Sequence, residues 1–285
     1  MRWRTGRRST NVEDRRGMRV SRRGLAGGGI GTVVLVLVAL YLGVDPTIVM
    51  QGLPQGEPMP QSSEPYQPTA AEQELADFAS VILADTEDTW SEIFRRSGGA
   101  YQEPTLVLFS GAVRSACGMA GAAVGPFYCP PDQNVYIDLS FFGELASRFG
   151  APGDFAQAYV VAHEVGHHVQ TLLGISDQVR AAQQGASRRQ ANAMQVRMEL
   201  QADCFAGVWA NNAHRARQIL EKGDVEEGLR AASAIGDDRI QRQTQGHVVP
   251  DAFTHGSSEQ RVRWFRRGLE NGNPSDCDTF DAANL

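Results

Sequence analysis

The chain has 285 residues, 42% of them hydrophobic and 21% charged, which excludes disorder along its whole length. Its net charge of −6 is unevenly placed: residues 1–23 hold nine arginines against Glu13 and Asp14, a net of +7, so residues 24–285 carry −13. A region that acidic lacks the basic face that sequence-independent nucleic-acid binding requires, and no nucleic-acid partner is expected.

From Gly24 to Val44 there are 21 consecutive residues without a charge. At about 1.5 Å per residue they cover roughly 30 Å, the thickness of a bilayer's hydrocarbon core. The arginines ahead of this stretch predict a single-pass signal anchor in the cell membrane, with residues 1–23 as a cytoplasmic tail and the rest extracytoplasmic. A cleaved signal peptide is the competing possibility, against which stand the long apolar region and the absence of an Ala-x-Ala site. Residues 45–69, with six prolines from Pro46 to Pro68, read as an extended linker. The folded domain is expected over residues 70–285.

All four cysteines, Cys117, Cys129, Cys204 and Cys277, follow the apolar stretch. In an oxidising compartment they read as two disulfides with three possible connectivities. Local pairing of Cys117 with Cys129 is preferred, which leaves Cys204 with Cys277. A zinc site built from them is disfavoured because no C-x2-C spacing exists.

Within the domain, Ala70–Arg96 has apolar residues at helical spacing. Residues 104–109 and 134–138 read as strands, and Ser140–Phe149 as a short helix closed by Gly150. Helices are then predicted over 154–173, about 177–215, about 224–245 and 257–270. The expected fold class is α+β, a small antiparallel sheet followed by a helical bundle.

The chemistry centres on His163-Glu164-Val165-Gly166-His167 within the predicted helix over 154–173. Residues i and i+4 share a helix face, so both imidazoles can bind one metal, and Glu164 stands beside its open position as general base. A catalytic zinc takes three protein ligands. Glu199, 32 residues past His167, is the third candidate, and Asp203, four residues on, faces the same side. Asp203 is suited to accept the second ring N–H of a liganding histidine. Both acids sit in the apolar run Met198–Val208, unlike acids on a solvated helix face. His168 lies about 140° round the helix from His163 and is not expected in the site. His247 reads as a loop residue. The arginines from Arg261 to Arg267 read as a solvated helix face.

HEVGH followed by Glu199-Leu200-Gln201-Ala202-Asp203 resembles the glutamate-liganded zincins, the thermolysin-like clan. The chain as a whole is similar to the "putative neutral zinc metallopeptidase" family of bacterial membrane proteins. The similarity includes Asn11–Gly17, Leu42–Pro46, Cys117–Gly118, Gly125–Pro130, Val135–Phe142, HEVGHHVQ and ELQADCFAG. It implies a zincin-like domain that holds one Zn²⁺ per chain through His163, His167 and Glu199 and cleaves a peptide or protein substrate. His255, with Arg261 six residues on, is similar to a downstream histidine–arginine pair of prenyl-protein endopeptidases. That likeness implies His255 as oxyanion donor, with Arg261 assisting or orienting it. The strand at Asn134–Asp138 is expected to offer an edge to an extended peptide. Two rival readings are a non-catalytic zinc-binding envelope protein, chaperone-like or interacting, and an interaction protein whose site is empty.

Overall fold

A computed structural model describes residues 1–18 and 66–285. The predicted span, Gly24–Val44, and all but the last four residues of the 45–69 linker lie outside the described residues. No helix among the described residues is long and apolar enough to cross a membrane. Residues 1–16 and 68–285 form one compact unit, and Gly17–Gln67 counts as another.

In chain order the strands are β1 (Val12–Asp14), β2 (Thr105–Phe109), β3 (Ala112–Ser115), β4 (Gly118–Gly121), β5 (Phe127–Cys129) and β6 (Asn134–Asp138). The helices are α1 (Ala70–Arg96), α2 (Ser140–Ser147), α3 (Asp154–Leu172), α4 (Ile175–Gln183), α5 (Arg188–Arg217), α6 (Asp224–Ala234), α7 (Asp237–Gln245) and α8 (Ser258–Asn271). The fold is mixed α+β and mostly helical.

The sheet corrects the antiparallel expectation. Four strands lie in the order β1-β2-β6-β5, with β1, β2 and β6 parallel and only β5 antiparallel. Leu106–Phe109 and Val135–Asp138 are all buried, as parallel strands covered on both faces should be. Leu106, Leu108, Val135 and Ile137 face the helices, while Val107, Phe109 and Tyr136 pack under the β3–β4 hairpin. β6 is therefore an interior strand with both edges paired, and the edge proposed at Asn134–Asp138 does not exist. The open edge beside the helices belongs to β5, too short to show a period in the sequence.

The division at residue 70 is corrected as well. Residues 1–16 are not a separate tail: β1 pairs with β2 in the register Val12↔Leu106 to Asp14↔Leu108. Three residues cannot display an alternation, and charge counting does not see their partners.

Three long helices start at capping boxes, Thr69 with Glu72, Ser187 with Gln190 and Ser257 with Gln260, each joining a side chain and a backbone N–H reciprocally. The Ser187 cap explains why the 177–215 segment splits into α4 and α5. The 224–245 segment splits at Gly236, where a Cβ would come within 2.4 Å of the Ser258 nitrogen. Two glycine crossings bring the helices of the site together. A Cβ at Gly268 of α8 would lie 1.9 Å from the Cys204 carbonyl oxygen, and one at Gly166 of α3 would lie 2.9 Å from that of Ala202. Trp209 stacks on Phe155 between α5 and α3, and Trp90 of α1 meets Phe205 edge-on. Each such fully buried ring contributes about 1.5–3 kcal/mol. The disulfides are Cys117–Cys129, tying the β3–β4 hairpin to β5, and Cys204–Cys277, tying α5 to the C-terminal segment.

Candidate metal centre

α3 and α5 cross at Gly166 and Ala202, and this crossing sets Glu199 against the two histidines of α3. One ligand atom from each of His163, His167 and Glu199 lies within 4.8 Å of the others. His163 Nε2 is 3.2 Å and His167 Nε2 is 3.6 Å from the Glu199 carboxylate. The three expected metal ligands are thus brought together.

The other nitrogen of each ring is held from behind. His163 Nδ1–H donates to Asp203 Oδ1 at 2.9 Å. Asp203, fully buried, also accepts from the Tyr159 hydroxyl and takes two 2.8 Å bonds from the Arg261 guanidinium. Arg261 Nη2 lies 3.2 Å from the Tyr159 hydroxyl as well. His167 Nδ1–H donates to Gln170 Oε1 at 2.8 Å, while Gln170 Nε2 donates to the Met198 carbonyl and to Gln201. Gln195 Nε2 donates to Glu199 Oε1 at 3.0 Å. With both Nδ1 atoms committed, the two Nε2 atoms face Glu199.

The electrostatics follow from this packing. Burial works to lower the His163 pKa, but the charge and hydrogen bond of Asp203, together with Glu199, outweigh it and raise the ring to about 9. Burial opposes the Glu199 charge too, yet His167 and His163 hold its carboxyl well below the usual range. Arg261 and His163 likewise outweigh burial at Asp203 and lower its pKa. Two imidazole nitrogens and one carboxylate, each braced by a hydrogen bond, are the donor set of a catalytic zinc site.

Glu164 is buried on the same turn of α3 and lines the cleft above the trio; among the described residues its carboxylate has no hydrogen-bond partner. The cleft measures about 550 Å³ and is walled by β5, α2, α4 and the loop before α8. His255 lines it. Asp237 Oδ1 lies 3.2 Å from His255 Nδ1, and Asp237 Oδ2 accepts the backbone N–H groups of Thr254, His255 and Gly256. The hydrogen bond that the His255 ring donates to Asp237 raises the His255 pKa against the effect of burial.

Arg261 is only 2% exposed, bound to Asp203 and Tyr159 behind His163. The Arg261–Arg267 run is therefore not wholly a solvated face. His247 stands in a surface turn outside the cleft. His168 is fully buried on the far side of α3, its Nε2–H donating to the Gln102 carbonyl and its Nδ1 accepting from the Tyr128 hydroxyl. Burial lowers its pKa.

Sequence reasoning missed Tyr159, Gln170, Gln195 and Asp237. The first three lie four residues before His163, three after His167 and four before Glu199, so helical spacing from the ligands could have found them. Asp237 carries no comparable signal, since it meets His255 across 18 residues.

Two histidines and a glutamate so placed form a group that could hold a metal ion. The chain belongs to the family described as "Putative neutral zinc metallopeptidase", whose model matches residues 1–280. It is 52% identical to the "Uncharacterized protein YpfJ" of Escherichia coli K12 over 98% of this chain and 99% of that one. It is 48% identical to the "Uncharacterized protein Rv2575" of Mycobacterium tuberculosis H37Rv over 65% of each chain. No solved structure matches it significantly.

Proposed function

We propose that the protein is a zinc-dependent endopeptidase, on the observation that three braced ligand atoms and the buried carboxylate of Glu164 share one cleft. His163, His167 and Glu199 hold one Zn²⁺. Zinc bound there supplies a Lewis acid that polarises the scissile carbonyl and lowers the pKa of water to about 7. Glu164 takes a proton from the attacking water and passes it to the leaving amine. His255, its Nδ1 held by Asp237, presents Nε2 to the carbonyl oxygen as charge builds there. Arg261 works at one remove, neutralising Asp203 so that its carboxylate keeps His163 in the orientation with Nε2 forward.

Among the described residues β5 is hydrogen-bonded on one side alone, to β6, and Phe127 and Tyr128 line the cleft. A peptide in extended form extends the sheet there. Phe141, Phe149, Val160 and Val179 offer its side chains an apolar wall. The two disulfides support an oxidising, extracytoplasmic location for the domain, and the charge-free stretch Gly24–Val44 supports attachment to a membrane.

The test is zinc content and hydrolysis of a peptide library by the full chain, beside its Glu164→Gln variant. About one zinc per chain in both proteins, with turnover in the native protein alone, is expected. Zinc without turnover in either favours the non-catalytic zinc-binding reading, and turnover by the variant removes Glu164 from its role.

A further inference from the structure

We infer that residues 1–16 lie on the same side of the membrane as the metal-binding domain, because they are a structural part of it. A single crossing between Arg16 and Pro68, with the arginine-rich segment left in the cytoplasm, would separate strands that are hydrogen-bonded neighbours. The placement is independent of the peptidase reading.

The contact begins with the sheet. β1 covers the β2 edge in parallel register, and the ladder runs past the strand at both ends. The Leu106 N–H donates to the Asn11 carbonyl at 2.8 Å, and the Arg15 N–H to that of Leu108 at 2.7 Å. Without β1, the buried Leu106–Phe109 run of β2 would present a bare edge. Ahead of β1, Trp3 meets the core ring Phe78 edge-on at 5.3 Å, and the Arg2 N–H donates to the Ile219 carbonyl at 2.8 Å.

Polar groups carry the same message. Glu87, in the middle of α1, is 1% exposed. Among the described residues every hydrogen bond to its carboxylate comes from this segment: Arg7 at 2.9 Å, Ser9 at 2.5 Å and Asn11 at 2.9 Å. A carboxylate buried so deeply requires partners of this kind. Ser80 of α1 completes the seam, donating to the Ser9 carbonyl.

Three of the arginines, Arg4, Arg7 and Arg8, have an explanation other than membrane orientation. Arg4 pairs with Glu74, Arg8 with Asp77, and Arg7 with Asp88 as well as Glu87, all acids of α1. Exposed pairs of this sort are individually weak. Three in register along one helix, around a buried carboxylate that the same segment satisfies, describe a docking surface. The charge count that predicts a cytoplasmic tail cannot distinguish arginines facing lipid headgroups from arginines facing α1.

The test labels thiols in living cells. All four native cysteines are disulfide-bonded, so a cysteine added to the full chain is its free thiol. Arg4→Cys and Arg189→Cys sit on side chains 71% and 78% exposed, one in the docked segment and one on α5. Each variant is treated with a membrane-impermeant maleimide before and after permeabilisation. Matching behaviour at the two positions, both labelled in intact cells or both only after permeabilisation, is expected. Labelling of one position while the other is protected in intact cells overturns the inference. Arg8→Cys and Arg180→Cys repeat the comparison should either first variant fail to accumulate.

Discussion

Replacing Arg261 with alanine decides between two roles for that residue, a donor to substrate and a brace behind His163. The guanidinium is 2% exposed and its partner Asp203 is fully buried, joined by two 2.8 Å bonds. Solvent screening does not soften this pair. Truncating one side leaves a buried carboxylate with its charge only partly met by His163, a change that costs about 3–5 kcal/mol. A domain of this size loses about 2–4 °C of midpoint per kcal/mol, so unfolding should move down by roughly 6–20 °C. Asp203 also fixes the His163 ring, and loosening such a partner weakens metal affinity about 10- to 100-fold. The assay is thermal unfolding of the full chain with a chelator present, followed by zinc competition against a fluorescent chelator. Arg261→Lys should recover part of both losses, since it keeps the charge but not the two-pronged fork. An Arg261→Ala protein with native midpoint and native zinc affinity, impaired only in peptide turnover, would refute the brace and return Arg261 to the substrate.

Zinc affinity should rise with pH up to near pH 9, because the His163 ring, raised to about 9, and the His167 ring, also raised, must both shed their protons to bind. In the metal-free fold the His163 contribution to stability should run the opposite way: a pKa raised above 6.5 stabilises it below that value, and the contribution is lost as pH climbs through about 9. Chelator competition across that window checks the first trend and chemical unfolding the second; flat profiles would contradict them. Asp237→Asn should lower kcat by roughly tenfold or more while leaving zinc content unchanged, since it releases His255 but touches no metal ligand. Steady-state kinetics beside metal analysis separates this from loss of the metal. Gly268→Ala should destabilise by about 1–3 kcal/mol or more, because its Cβ meets the Cys204 carbonyl and forces α5 away from α8. A native midpoint in that variant would show that the two helices can part without cost.

The candidate metal centre was legible in the sequence to the extent that it is helical. His163 and His167 are one turn apart, as are Glu199 and Asp203, and a regular helix fixes which of its side chains share a face. The same regularity could have supplied Tyr159, Gln170 and Gln195. What spacing could not supply was a relation between elements. That Asp237 holds His255, or that Arg261 turns inward to Asp203, follows from how α5, α7 and α8 pack.

The sheet shows the same division more sharply. The Leu106–Phe109 and Val135–Asp138 segments read as strands by their residues alone, but strand direction leaves no mark in an alternation, so the parallel pairing of β2 with β6 is visible only in the fold. β1 and β5, three residues each, are strands only because β2 and β6 offer them edges.

By itself, then, the sequence determined local matters: that most of the domain is helical, which side chains share a helical face, and that 21 residues without charge stand between an arginine-rich start and an acidic domain. The tertiary structure alone decided what Arg4, Arg7 and Arg8 face. A charge has the same sign in any list of residues, but its energy depends on what lies within a few ångströms, and Glu87 is 80 residues from Arg7 along the chain yet 2.9 Å from it in the fold.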